Sequence, residues 1–175
     1  MKVAFIYKYD LFKYFPSIEE TLKDKNDINI ITGNRLRKEV LSIESEFSKK
    51  FNYYIDNGKL MPNELWVPFF SSLCVEKELN VYCGLVGNLE QFKLFESYCN
   101  ENQIKIEFIK YYKIKNILKV QNILEEKNPE NLDFYREVLE KRITEYNSRI
   151  EQILKYVDSK YKVEYLDYFD NASNN

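Results

Sequence analysis

Five short runs of strand-forming residues, each separated from the next by segments with helical signals, constrain this chain more than any other feature. Lys2 to Tyr7 is almost wholly apolar, as expected of a strand buried on both faces of a parallel sheet. Ile28 to Ile31, Asn80 to Leu85, the alternating run Ile104 to Ile109, and Lys162 to Leu166 are the other four. Between them lie helix signals. Ser17, after Pro16, and Glu20 have capping-box spacing. From 34 to 57 the pattern predicts two helices broken near Ser42 to Ser45. Leu36, Val40 and Ile43, then Phe47, Phe51 and Ile55, fall at helical intervals, and Gly58 stands at the C′ position. Pro62 opens a helix to about Leu73, and Asn88 caps Leu89 to Glu101. Two more are expected, about Asn116 to Lys127 and Asp133 to Val157, separated by Asn128 to Asn131. The second has an apolar face of Leu139, Ile143, Tyr146, Ile150, Ile153 and Leu154. Strands alternating with helices predict an α/β fold: a five-stranded parallel sheet with right-handed crossovers and helices on both faces. No linker divides the chain, so 1–170 is expected to be one domain and 171–175 a disordered tail.

The chain has 175 residues, 45% of them hydrophobic and 31% charged, enough for a sizeable core. No apolar run approaches the roughly 18 residues of a membrane span, and Tyr7 to Asp10 interrupts the N-terminal run too early for a signal peptide. The expectation is a cytoplasmic protein with no membrane partner. A net charge of -2 gives no electrostatic reason to expect nucleic acid. There is no histidine, and the three cysteines, Cys74, Cys83 and Cys99, lack C-x-x-C spacing. No metal site or histidine-based triad is therefore expected, and the cysteines should be reduced.

Two segments carry more specific information. Thr32-Gly33-Asn34-Arg35-Leu36-Arg37 ends the second strand, and Gly58-Lys59-Leu60-Met61-Pro62-Asn63-Glu64-Leu65 follows the next helical stretch. Together they resemble the monophosphate-binding half of the adenylate kinase (nucleoside-monophosphate, NMP, kinase) family, with its T-G-x-x-L-R and G-K-L-x-x-x-E-L patterns. The resemblance implies a P-loop NMP-kinase-like fold with 33–75 as its NMP-binding helical part. It also implies that Thr32, Gly33 and Arg37 hold AMP and that Lys59, Leu60 and Met61 lie against adenine. Gly84 and Gln91 match the glycine and glutamine of the family's D-G-F-P-R-T-x-x-Q motif, where the glutamine reads the base. A guanidinium at Arg37 suits phosphate oxygens.

The departures bear on activity. Where the family has its glycine-rich phosphate loop, this chain has Tyr7-Lys8-Tyr9-Asp10-Leu11-Phe12-Lys13-Tyr14-Phe15. A phosphate nest needs inward-turned amides, glycine where φ is positive, and an empty hollow. Lys13 alone stands near the place of the loop lysine. Cys83 replaces the magnesium-side aspartate, Gly87 the clamp arginine, and the arginine-bearing lid is reduced; Arg142 matches one of the late arginines. The expectation is a catalytically inactive pseudo-kinase, acting as a nucleoside-monophosphate-binding or protein-interaction module, with AMP the ligand that the resemblance suggests. The alternative is a divergent active kinase using Lys13 and Arg142, and a second alternative is a structural subunit without a ligand. Tyr7, Tyr9, Phe12, Tyr14 and Phe15 are expected to plug the old groove, the alternative being an exposed docking patch for a protein partner. Trp66, Phe69 and Phe70 are a second candidate edge for a protein partner, though most of that run should be core.

Overall fold

β1 (Lys2–Lys8) forms the centre of an all-parallel sheet in the order β2-β3-β1-β4-β5, with β2 at Ile28–Thr32, β3 at Leu79–Cys83, β4 at Lys105–Lys113 and β5 at Val163–Asp167. The computed structural model describes residues 1–9, 27–33, 35–36, 38, 45–56, 62–127 and 138–169. The described helices are α1 (Glu46–Asp56), α2 (Asn63–Ser72), α3 (Leu89–Glu101), α4 (Ile117–Lys127) and α5 (Leu139–Val157). The expected α/β fold and its five parallel strands are therefore present. The helix expected at Pro16 and Ser17, the Gly58 stop, the 128–131 linker and the tail lie outside the described residues.

Alternation along β1 separates the two faces of the sheet. Val3, Phe5 and Tyr7 enter the main core with Trp66 and Phe70 of α2, Phe92, Phe95 and Cys99 of α3, and Ile150, Ile153, Leu154 and Val157 of α5. Ala4 and Ile6 pack with Val81 on the other side. The moves from β2 to β3, β3 to β4 and β4 to β5 all run in the same direction across the sheet. Right-handed crossovers must then place their helices on one face, where α2, α3 and α5 share the main core. Phe5 is its aromatic centre, with the rings of Phe92 at 5.2 Å, Phe95 at 5.5 Å and Tyr82 at 5.8 Å.

β4 departs from the simple alternation of its sequence. Its register against β1 shifts so that Val3 pairs with Ile106 and Ala4 with Phe108, which leaves Glu107 as an extra residue. Ile106 and Ile109 consequently enter the main core, while Phe108 turns to the opposite face. The strand also runs on to Lys113, past the expected end at Ile109. β1 and β5 flank it there, with Lys8 opposite Tyr112 and Asp167 opposite Lys113.

Two polar devices fix the ends of elements. Asn29 and Asn80 are register partners on β2 and β3, and Asn29 Nδ2 donates to Asn80 Oδ1 at 2.8 Å and to the Leu73 carbonyl at 3.0 Å. Asn80 in turn accepts from the Val75 amide and donates to the Val75 carbonyl, each at 3.1 Å. Arg35 Nη1 donates to Asn29 Oδ1 and to the Ile30 carbonyl, both at 2.7 Å, covering part of the edge strand β2.

At the end of α3, the Ile104 amide donates to the Cys99 carbonyl at 2.8 Å and the Gln103 amide to the Asn100 carbonyl at 3.3 Å, a Schellman motif. Its left-handed position, usually glycine, is Gln103 at φ 56°. Gln103→Gly should raise stability by roughly 0.5–1 kcal/mol, because it removes a Cβ from that backbone conformation at some entropic cost. Urea denaturation would check this, and a lowered midpoint would contradict it.

Candidate functional site

Sheet order points to where a ligand crevice is expected. The chain leaves β1 toward β2 on one side, but leaves β3 and β4 toward the other, so connections diverge around the carboxyl end of β1. In open α/β sheets ligands bind at such switch points. Lys8 and Tyr9, Cys83 and Gly84, and Lys113 and Ile114 end the three strands there. Gly84 has φ +66°, its amide donates to the Ile6 carbonyl at 2.9 Å, and a Cβ would lie 3.8 Å from the Lys8 carbonyl. The left-handed turn that ends β3 beside β1 therefore favours glycine on conformational grounds.

Thr32 and Gly33 reach the same edge, since Thr32 pairs with Cys83. Their local roles differ from a ligand contact. The Thr32 hydroxyl accepts the Arg35 amide at 3.1 Å, as a helix cap does, and Gly33, Arg35 and Leu36 have helical backbone. A Cβ on Gly33 would meet only Leu85 Cδ2 at 3.8 Å, an ordinary contact, so this glycine is not a steric necessity. Gln91 is buried, 2% exposed, and its Oε1 accepts the Gly87 amide at 2.9 Å, while its own amide donates to the Asn88 cap at 2.9 Å. Its carbonyl oxygen thus shapes the 84–88 loop rather than projecting to read a base. Arg142 is exposed in the first turn of α5. Arg37, Lys59, Leu60, Met61 and Lys13 lie outside the described residues, so the adenine side of the expected site is not described.

Tyrosines crowd the end of β1. Tyr7 is 1% exposed and its hydroxyl is buried in the main core. Tyr9 is half-buried and its ring meets that of Tyr146 edge-on at 5.2 Å. Tyr111, the register partner of Tyr7, donates its hydroxyl to Asn147 Oδ1 at 2.8 Å. Lys8 Nζ lies 5.6 Å from the centre of the Tyr112 ring and 5.2 Å from that of Tyr168, close enough for cation–π attraction. Burial raises the pKa of Tyr7, Tyr111 and Tyr146, with Tyr146, Glu151 and Tyr111 respectively the next contributors. At neutral pH these phenols are hydrogen-bond donors, not bases.

The docking-patch alternative does not hold for the buried aromatics, and the described residues of the Trp66 to Phe70 run are in the core or packed against it, as expected. Tyr7, Trp66 and Phe70 are core residues, each at most 3% exposed, and therefore present no surface to a partner. Phe69 is half-buried against Phe47 at 4.7 Å and Phe51 at 5.5 Å, its face taken up by α1. Tyr9 is engaged with Tyr146, and Phe12, Tyr14 and Phe15 lie outside the described residues.

Sequence reasoning missed Lys8, Tyr112, Tyr146 and Tyr168 as neighbours at this edge. The available signal was the Lys8-Tyr9 and Tyr111-Tyr112 pairs at strand ends, but their proximity follows from the strand order. Among the described residues no group of three His, Cys, Asp or Glu could hold a metal ion, and no helix is long and apolar enough to cross a membrane. Compared with protein-family models and with curated proteins, the chain matches none.

Proposed function

We propose that this chain is a catalytically inactive relative of the nucleoside-monophosphate kinases, a binding module that no longer transfers phosphate. The observation that carries this reading is the aromatic packing at the end of β1. Phosphoryl transfer depends on positioning and on neutralising charge around the transferred group. Its cradle requires an open hollow lined by backbone amides. Here Tyr7 is buried, Lys8 lies near the Tyr112 and Tyr168 rings, and Tyr9 packs on Tyr146. Losing one charge-stabilising donor commonly costs about 3 kcal/mol in a transition state, and this chain departs from the family at the cradle, the metal-side aspartate and the clamp arginine together. Thr32 and Gln91 have local commitments, so in this reading Arg37 supplies the principal phosphate contact for a monophosphate.

Titration calorimetry with AMP, and separately with ATP and Mg²⁺, tests the proposal. AMP should bind weakly and lose its heat in Arg37→Ala, whereas ATP with Mg²⁺ should give none. ATP binding, with ADP formed once AMP is supplied alongside it, would overturn it in favour of an active kinase. Silence toward both would remove the monophosphate and leave a protein-interaction role.

A further inference from the structure

Two phenols under the carboxyl end of β1 are buried and stand out among the described residues. The hydroxyl oxygens of Tyr7 and Tyr146 are both solvent-inaccessible, and neither finds a hydrogen-bond partner among the described residues. Their neighbourhood is defined from three directions. Tyr7 pairs across the sheet with Tyr111, whose hydroxyl is bonded to Asn147, the residue after Tyr146. Two positions along the same face of β1, Tyr9 sets its ring against that of Tyr146. Tyr9 and Tyr111 therefore both meet the turn of α5 that carries Tyr146 and Asn147, and Tyr7 lies beside them on the same face of the sheet. A buried hydroxyl without a partner is costly, and polar groups in such positions are ordinarily satisfied by protein or by internal water.

We propose that Tyr7 and Tyr146 form an internal hydration site, in which one water accepts a hydrogen bond from each phenol and so ties β1 to α5 beneath the switch point. Water suits the site because it can accept two bonds at once. Both phenols keep their protons at neutral pH, and the Tyr111 hydroxyl is already spent on Asn147. The inference concerns the interior and does not depend on the function proposed above.

The single variants Tyr7→Phe and Tyr146→Phe, and the double variant, decide it in urea denaturation of the whole chain. Each removes only an oxygen, so folding should survive. With a bridging water, each single variant lowers the midpoint, and the double variant lowers it by less than the sum of the two. If the site is dry, deleting an unsatisfied hydroxyl leaves the midpoint unchanged or raises it, and the proposal fails. A direct bond between the two phenols would also be non-additive. Magnetisation transfer from water to the two hydroxyl protons by NMR distinguishes these cases: cross-peaks from one long-lived water to both support the site. Slowly exchanging hydroxyl protons without such peaks would overturn it.

Discussion

Asn80→Ala should destabilise the protein by about 4 kcal/mol, equivalent to a fall of roughly 10 °C in Tm for a chain of this size. Asn80 is fully buried in β3, and one amide group serves three partners. Its Oδ1 accepts from Asn29 Nδ2 and from the Val75 amide, and its Nδ2 donates to the Val75 carbonyl. An alanine leaves those groups to find other partners and opens a space where the amide stood. Val75 is 43% exposed, so water can recover part of the loss there. It cannot do so equally at Asn29, which is 7% exposed. Asn29→Ala should cost less, because the Val75 bonds to Asn80 survive. The double variant should be less destabilised than the sum of the singles, the signature of a shared network. Thermal unfolding of all three variants tests the argument. Additive effects would show that the two asparagines act independently despite their 2.8 Å bond.

That network also marks the limit of what the sequence discloses. The strand and helix pattern was legible because it rests on local signals. Asn88 caps α3 as its position before Leu89 implies, and the apolar positions of α5 from Leu139 to Leu154 are buried, with Tyr146 at their margin. A polar residue inside an apolar strand, Asn29 or Asn80, was also visible. Nothing local says that two such residues 51 positions apart are register partners; the strand order decides that. The Glu107 bulge is hidden for a related reason, since period-two alternation assigns faces correctly only while the partner strand keeps step. At the candidate site, motif matching picked out Thr32, Gly33, Gly84 and Gln91, of which Thr32, Gly33 and Gly84 lie at the carboxyl ends of their strands. It could not foresee that the hydroxyl of Thr32 and the carbonyl oxygen of Gln91 satisfy nearby backbone amides. Side chains that read a ligand and side chains that cap a turn are the same residue types at the same sequence positions.

Glu96→Gln should cost about 3 kcal/mol at neutral pH and progressively less in acid. Glu96 is a buried residue of α3 that fastens the far end of α5. The Tyr161 hydroxyl donates to its Oε1 at 2.6 Å and the Tyr156 hydroxyl to its Oε2 at 2.7 Å, while Lys160 Nζ stands 3.5 Å from Oε1. The Lys160 ammonium also lies 3.7 Å from the centre of the Tyr156 ring. Bonds to a carboxylate are stronger than bonds between neutral groups, and glutamine can offer the two phenols only one acceptor oxygen. Burial by itself pushes the Glu96 pKa up, but the Tyr161 and Tyr156 hydroxyls and the Lys160 charge together outweigh it, and the net shift is downward. A carboxyl whose pKa is lower folded than unfolded adds stability above the unfolded value, about 4.3 for glutamate. That contribution fades as pH falls through the unfolded value toward the lower, folded one. The stability gap between the native chain and Glu96→Gln should therefore be constant from pH 8 to about 6 and narrow steadily below about 4.5. Urea unfolding of both proteins across that range measures it. A gap that stays constant into acid would mean that the two phenols, and not the charge they surround, hold α3 to α5.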